Sequence, residues 1–228
     1  MRIVDTLDLT DTPPAQRSAA LIAVLDALPV GASRRVQLAA PWAVDGGHLL
    51  ADLQEQRWGH YLWHPLQEGP ELWLAELVRQ EPAARHNNIP HFFTQDHHRC
   101  DTLYAAAEGA AQDGDVARMT PLCYQFVVAM ARHFRMEENG LFPAFEEKTG
   151  IRQGPTMVMR SEHEQMRGLM RQMHQAADDG DADQFLRAGG TLLFVMQQHN
   201  VKEEQMLYPM SESHLHPSDH LLKAVQRL

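Results

Sequence analysis

The sequence predicts two domains of different fold class: an N-terminal α/β two-layer sandwich, followed by an all-α, up-down four-helix bundle. All four tryptophans lie before residue 80, whereas every methionine after Met1 lies beyond residue 118, and this shift in core residue type indicates two separate cores. Short segments bounded by glycine and proline fill the first part of the chain. Long amphipathic segments fill the second part.

The N-terminal region is predicted to have the element order β-α-β-α-β-β. A strand at residues 4–7 precedes a helix that begins near Pro14, in which Leu21, Val24 and Leu25 form an apolar face. Glycine and proline breaks then separate the later elements. These are a strand at residues 35–39, a helix at residues 49–56, and a hairpin of strands at residues 61–66 and 72–78.

A polar stretch bracketed by prolines separates the two regions. Pro82 and Pro90 lie near its ends, and proline both removes an amide donor and disfavours helix in the residue before it. We therefore predict an α/β domain at residues 1–82, a linker at residues 83–89, and a helical domain with a C-terminal extension at residues 90–228.

Part of the N-terminal region resembles a known family. Leu7-Asp8, Pro14 and the stretch from Glu68 to Trp73 make residues 3–80 similar to an uncharacterised bacterial domain related to the TusA-type sulfur carriers. Those carriers use a cysteine just before a proline at the start of the first helix, where the helix dipole stabilises a thiolate. Thr12-Pro13 stands there in this chain, so we expect no persulfide transfer. His48, His60 and His64 are interpreted as isolated surface residues rather than a metal cluster.

Charge and composition exclude several function classes. A formal net charge of -10 at pH 7 repels nucleic acid and anionic membranes. The N-terminus has no apolar core of a signal peptide, and no apolar run approaches the roughly 20 residues that span a bilayer. Cys100 and Cys123 have no metal-type spacing and are expected to be free thiols. We expect a cytoplasmic protein that binds neither nucleic acid nor membrane.

Four amphipathic segments make up the second region. Glycine is expected to end a helix and aspartate to cap the next one. Breaks of this kind occur at Asp113-Gly114, at Lys148-Thr149-Gly150 and at residues 178–181. The predicted helices cover residues 89–112, 115–147, 155–179 and 182–212.

A duplicated motif is the most informative feature of the chain. Each copy is a His-x3-Glu-Glu sequence followed by leucine, an aromatic residue and proline. The same offset of 66 residues also carries Asp96-His97 onto Glu162-His163, so the chain holds two copies of one half-site. The two copies of the motif are His133, Glu137, Glu138, Leu141, Phe142 and Pro143, and His199, Glu203, Glu204, Leu207, Tyr208 and Pro209.

The histidines and the first glutamate of each copy are predicted to lie on buried helix faces. His97 and His133 are about equally far from the Asp113-Gly114 turn, so an antiparallel hairpin brings them to one level. His163 and His199 are related in the same way across Gly180. The predicted stripes are Leu122, Phe126, Met130, His133, Glu137 and Leu141; Phe185, Leu192, Met196, His199, Glu203 and Met206; Phe93, His97, Cys100 and Tyr104; and Met159, His163, Met166, Met170 and Met173.

Burial of this polar set indicates a cation site. A single histidine on an apolar face is more often a hydrogen-bonded core residue than a ligand. Four imidazoles and two carboxylates at matched positions, however, would be costly to bury unless ions satisfy them. These donors suit iron, manganese or zinc, and two carboxylates can bridge two ions. Two ions with six protein ligands leave room for an oxo or hydroxo bridge and for O2, NO or peroxide.

The same residues resemble a known family. With Asp96-His97, Glu162-His163 and the two copies of the motif, residues 90–212 look like the hemerythrin-like cation-binding family. The resemblance implies a four-helix bundle and two iron ions joined by an oxo or hydroxo bridge. The ligands that it implies are His97, His133, Glu137, His163, His199 and Glu203.

Two positions depart from the respiratory hemerythrins. These proteins use a fifth histidine four residues after the third-helix histidine, and an aspartate five residues after the last histidine. Arg167 and Glu204 stand at those places in this chain. The change disfavours a pure oxygen carrier and leaves open which of Glu203 and Glu204 bridges. The ligand set is also similar to that of iron-sulfur repair and nitrosative-stress di-iron proteins, whose N-terminal cysteine segment this sequence lacks.

Three functions are compatible with such a site. The first is a di-iron protein that binds O2 or NO, for sensing or for protection against oxidative or nitrosative stress. The second is an enzyme that reduces NO or peroxide at the two irons. The third is an iron donor or store, whose N-terminal domain would dock a protein partner. Two side residues have open interpretations: Cys100 as a redox group or a buried thiol, and Asp101 as an acceptor for His97 or a surface charge.

Overall fold

A computed structural model describes residues 5–39, 49, 52, 53, 56, 57, 60–68, 71–79 and 88–228. Contacts divide the chain into two compact units between residues 86 and 87. Several predicted features lie outside the described residues: the start of the first strand at residue 4, His48, the hairpin tip at residues 69–70 and linker residues 83–87. No helix among the described residues is long and apolar enough to cross a membrane.

The N-terminal unit contains a small mixed sheet. Its strands are β1 (Thr6–Asp8), β2 (Ser33–Leu38), β3 (Tyr61–Glu68) and β4 (Trp73–Arg79), in the spatial order β1-β2-β4-β3. β1 and β2 are parallel, whereas β4 pairs antiparallel with both β2 and β3. A register shift interrupts the β3–β4 ladder between Pro65 and Gln67. The predicted hairpin is present; β3 is two residues longer than predicted, and β4 has the predicted length but begins and ends one residue later.

One helix and the sheet share an apolar core. α1 (Pro14–Ala27) begins at a proline, whose fixed φ suits the first helical position. Leu21 and Leu25 of α1 are fully buried, in one cluster with Val36 and Leu77 of the sheet. Gly31, at φ 79, provides the left-handed turn that leads to β2. Residues 49, 52, 53, 56 and 57 are helical, within or next to the second predicted helix.

The second unit is helical and begins at Asn88, which caps the first helix. The Asn88 side chain accepts a hydrogen bond from the His91 amide at 2.9 Å. Asp115 and Asp181 cap two later helices in the same way. The four long helices are α2 (Ile89–Gln112), α3 (Val116–Met136), α5 (Pro155–Asp178) and α6 (Ala182–Lys202). α2 packs against α3 and α6, and α5 packs against α3 and α6.

The second and fourth predicted helices are each interrupted by a turn of π-helix. π1 (Glu137–Leu141) leads to α4 (Phe142–Thr149), and π2 (Glu203–Leu207) leads to α7 (Tyr208–Leu215). The amide of Phe142 donates to the carbonyl of Glu137, five residues back. Proline follows at the next position in both copies, where it lacks an amide and crowds the preceding turn of an α-helix. The wider turn accommodates the proline without ending the helix.

The π2 turn changes which residues of the last long segment are buried. Met206 was predicted to continue the buried face, but it is 58% exposed. Leu207 is buried in its place at 1% exposure. The prediction was wrong because a π turn holds one more residue than an α turn, which moves the buried face by one position.

The C-terminal extension packs on π1. Its helix α8 (Asp219–Val225) places Val225 directly over Gly140, where an added Cβ would lie 2.2 Å from Cγ1 of Val225. The Arg132 guanidinium donates a hydrogen bond to the Gln226 carbonyl at 3.0 Å. Glycine at position 140 is therefore required by close approach.

Candidate metal centre

The structure brings all six predicted ligands together inside the helical unit. Each of the six side chains is at most 3% exposed. α2, α5 and the last turns of α3 and α6 contribute one histidine each, and each π turn begins with one of the glutamates. The residues are His97, His133, Glu137, His163, His199 and Glu203.

Their donor atoms form two overlapping groups. In the first group, atoms of His97, His133 and Glu203 lie within 4.8 Å of one another. In the second group, atoms of Glu137, His163, His199 and Glu203 do so. Glu203 belongs to both groups: its Oε2 lies 3.3 Å from Nε2 of His97 and its Oε1 lies 3.2 Å from Nε2 of His199. The arrangement thus offers two neighbouring cation positions that share a carboxylate.

Each of the four imidazoles is held from behind by a carboxylate. Nδ1 of His97 lies 2.7 Å from Glu204, and Nδ1 of His163 lies 2.7 Å from Glu138. The same contact joins His133 to Asp96 at 3.1 Å and His199 to Glu162 at 2.9 Å. A carboxylate only accepts, so Nδ1 carries a proton and Nε2 is the nitrogen of each ring that faces the centre. Sequence reasoning missed these four partners, although each acid neighbours a predicted ligand in the chain.

Several of the inward-facing atoms lack the partners that buried polar groups require. Nε2 of His97 lies 3.1 Å from Nε2 of His133, and Nε2 of His163 lies 3.2 Å from Nε2 of His199. Oε2 of Glu137 and Oε1 of Glu203 are buried without a hydrogen-bond partner. Bare nitrogens facing each other beside unpartnered carboxylate oxygens are unfavourable in a dry interior. Two cations would satisfy them all, so this donor set fits a two-metal centre.

The pKa values of three of the histidines reflect the carboxylates around them. Burial opposes protonation of His133, yet the charge of Glu137 and the hydrogen bond to Asp96 raise its pKa to about 10. The pKa values of His97 and His199 are also raised, against burial, by Glu203 and the acids behind them. Without metal, protons take the place of cations at these nitrogens, and metal binding must displace them.

An outer ion pair supports one of the histidines. Burial opposes ionisation of Glu138, but hydrogen bonds from His163 and Arg167 lower its pKa to about 2. The Arg167 guanidinium lies 2.8 Å from Oε2 of Glu138 and 5.0 Å from the centroid of the Phe134 ring. Phe134 in turn stacks on His163 with ring centroids 4.1 Å apart. Arg167 therefore stands outside the donor groups and holds the carboxylate that orients His163.

The structure follows the 66-residue duplication, with one clear exception. Phe142 stacks on His163 at 5.8 Å, and Tyr208, 66 residues later, lies beside His97 at 5.6 Å. The Tyr208 hydroxyl lies 2.8 Å from Oε1 of Glu137, 3.0 Å from Oε2 of Glu203 and 3.1 Å from Nε2 of His97. Phenylalanine has no such group. The only sequence signal for this contact was the aromatic residue that differs between the two copies of the motif.

The structure supports neither a hydrogen bond from His97 to Asp101 nor a redox role for Cys100. Nδ1 of His97 bonds to Glu204 rather than to Asp101. Burial raises the pKa of the Cys100 thiol far above its ordinary value and that of Cys123 to about 12. Neither thiol therefore has the depressed pKa that a reactive cysteine requires. Among the described residues, the groups of side chains with metal-site geometry include neither His60 nor His64.

One comparison with known families matches the helical part of the chain. Residues 88–211 match a family model described as the hemerythrin HHE cation binding domain. No curated protein and no solved structure matches the chain. None of the comparisons supports the resemblance of the N-terminal region to TusA-type carriers.

Proposed function

Because the chain belongs to the hemerythrin HHE cation-binding family, we propose that it is a di-iron protein that binds O2 or NO, for sensing or for protection against oxidative or nitrosative stress. One observation carries the proposal. Two pairs of bare imidazole nitrogens, at 3.1 Å and 3.2 Å, face a shared carboxylate, Glu203, in a fully buried space. The contacts of the four long helices support the up-down four-helix bundle that this family implies.

We assign the ligands by donor group. His97, His133 and Glu203 would hold the first ion, and Glu137, His163, His199 and Glu203 the second. Glu203 rather than Glu204 would bridge the two ions, because it is fully buried and faces both groups. Glu204 is 34% exposed and bonds to the outer nitrogen of His97. Bound iron would supply open coordination positions at which a small molecule binds.

The surrounding side chains restrict what can reach the centre. Phe93 and Phe134 pack against His133 and His163 and are fully buried. Together with Phe142 they form an apolar wall beside the donor groups. A small uncharged ligand such as O2 or NO fits this environment better than a polar metabolite.

Burial also bears on the alternative functions. An iron donor must expose its ligands to a partner, whereas these six are almost inaccessible. Burial of the ligands therefore favours a protein that keeps its iron and binds a gas over one that donates iron. Docking of a partner by the N-terminal unit is part of the iron-donor alternative only. Reduction of NO or peroxide remains the enzymatic alternative, because two bound irons could supply two electrons.

Metal analysis combined with an optical spectrum tests the proposal. Reconstituted protein should contain two irons per chain and show oxo-bridge charge-transfer absorption. His133→Ala and His199→Ala should each reduce the iron content, whereas His214→Ala, an exposed residue outside both groups, should leave it unchanged. Protein that retains no metal after reconstitution would refute the proposal.

A single-turnover experiment separates binding from catalysis. The reduced protein is mixed with NO, O2 or peroxide in separate experiments, and the adduct with NO or O2 is followed as the gas is removed. Release of the gas unchanged supports the binding function. Formation of N2O from NO, or of water from peroxide, supports the reductase alternative.

A further inference from the structure

The two donor groups are unequal although the chain duplicates them. The first group contains three residues and the second contains four, because Glu137 joins only the second. The histidines themselves are matched, with Nε2 pairs at 3.1 Å and 3.2 Å. The difference therefore arises from the carboxylates and what they contact.

The two carboxylates use their oxygens differently. Glu203 directs Oε2 to His97 and Oε1 to His199, one oxygen to each group. Glu137 directs only Oε2 to the histidines, at 3.3 Å from His133 and 3.2 Å from His163. Its Oε1 is turned to the Tyr208 hydroxyl at 2.8 Å. The oxygen that would make Glu137 a mirror image of Glu203 is thus occupied by a phenol.

The same hydroxyl stands among the donors of the first group. It lies 3.1 Å from Nε2 of His97 and 3.0 Å from Oε2 of Glu203. The hydrogen bond from the phenol occupies Oε1 of Glu137, the oxygen that could otherwise serve the first group. Phe142 has the equivalent place in the second half and has no hydroxyl. The second group therefore has one donor residue more than the first, while Tyr208 holds the Glu137 oxygen that could have made them equal.

We propose that Tyr208 makes the two cation positions inequivalent, so that the His163/His199 position fills first and the His97/His133 position fills second and more weakly. The inference rests on the proposed two-metal site and concerns the loading of that site. Tyr208 acts as a positioning residue that holds Oε1 of Glu137 away from the first cation position. The single aromatic difference between the copies thus sets the order of metal binding.

Calorimetric and optical titration of the metal-free full chain with Co²⁺ tests this inference. Wild-type protein should bind two Co²⁺ in two steps whose affinities differ by about tenfold, the size expected for one hydrogen bond to a charged group. Tyr208→Phe, which copies the residue at position 142, should bring the two steps together. Tyr104→Phe is the matched control, because Tyr104 is also buried but donates to Glu108, outside the donor groups.

Half-site variants identify which position fills first. His199→Ala should remove the tight step, and His133→Ala should remove the weak one. The opposite assignment would overturn the inference, as would a single unresolved step in wild-type protein or an unchanged separation in Tyr208→Phe. A phenolate-to-iron charge-transfer band that disappears in Tyr208→Phe would also overturn it, because Tyr208 would then be a ligand. If wild-type protein binds no Co²⁺ or iron at all, the proposed function fails instead.

Discussion

Oε1 of Glu138 lies 2.7 Å from Nδ1 of His163, on the side of the ring that faces away from the candidate metal centre. Glu138 belongs to the duplicated motif but to neither donor group. Its contact determines which nitrogen of His163 faces inward, so its role is separable from ligation.

Removal of this contact should weaken metal binding without removing a ligand. We expect Glu138→Ala to lower the metal affinity by about 10- to 100-fold, as is typical for loss of a carboxylate behind a ligand histidine. Equilibrium competition with a chelator measures the change. Glu147→Ala, an exposed acid on the neighbouring helix, is the control and should have no effect. Equal affinities of Glu138→Ala and wild-type protein would show that Glu138 does not orient His163.

The stability of the metal-free protein should fall as pH rises above neutrality. Burial opposes the shift, but Glu137 and Asp96 raise the pKa of His133 from 6.5 to about 10. A raised folded-state pKa contributes stability that is complete below about pH 6.5 and is lost as pH rises through about 10, because the unfolded chain binds fewer protons in that window. Urea unfolding of chelator-treated protein between pH 6 and 10 measures this slope.

Metal affinity should change in the opposite direction over the same window. Cations compete with the protons on Nε2 of His97, His133 and His199, so binding becomes tighter as those protons leave. Calorimetry in buffers of different ionisation enthalpy should detect proton release on binding. A metal affinity that is independent of pH would contradict this prediction. A His133→Gln variant whose stability depends on pH as in the wild-type protein would show that His133 does not cause the loss of stability.

Gly140 should not tolerate a side chain, because its α-hydrogen faces Val225. An added Cβ would lie 2.2 Å from Cγ1 of Val225, so α8 must move. We expect Gly140→Ala to lower the free energy of unfolding by about 1–3 kcal/mol through overpacking. Gly109→Ala has nothing within 4 Å of the new Cβ and should instead stabilise by about 0.5–1 kcal/mol. Urea midpoints that move in the same direction for both variants would refute the close packing of α8 on π1.

Neither cysteine should react in the native protein. Cys100 is 1% exposed and Cys123 is fully buried, and burial raises the pKa of both thiols. Iodoacetamide at pH 8 should label neither residue until the chain is unfolded, when both should be labelled. Mass spectrometry after each treatment provides the measurement. Labelling of Cys100 in the folded protein would contradict this prediction and support a redox role for that thiol.

Much of the local structure follows from the sequence because it depends on neighbouring residues. Asp115 and Asp181 cap helices where the turn signals placed them, and Gly114 and Gly180 adopt positive φ. The π turns could not be predicted from periodicity. They arise where a proline and a packed face compete within one continuous helix, and Met206 is exposed as a result.

The sequence by itself determined which histidines and glutamates face the interior of the helical unit. The 66-residue duplication and the apolar stripes identify them, because residues three and four apart lie on the same face of any α-helix. Only the tertiary structure decided what stands behind them and between them: Glu204 on His97, Glu138 on His163, and the Tyr208 hydroxyl on Glu137. Such contacts join different helical segments at hydrogen-bond distance. They depend on the rotation and axial offset of packed helices to within about 0.5 Å, a precision that sequence periodicity does not carry.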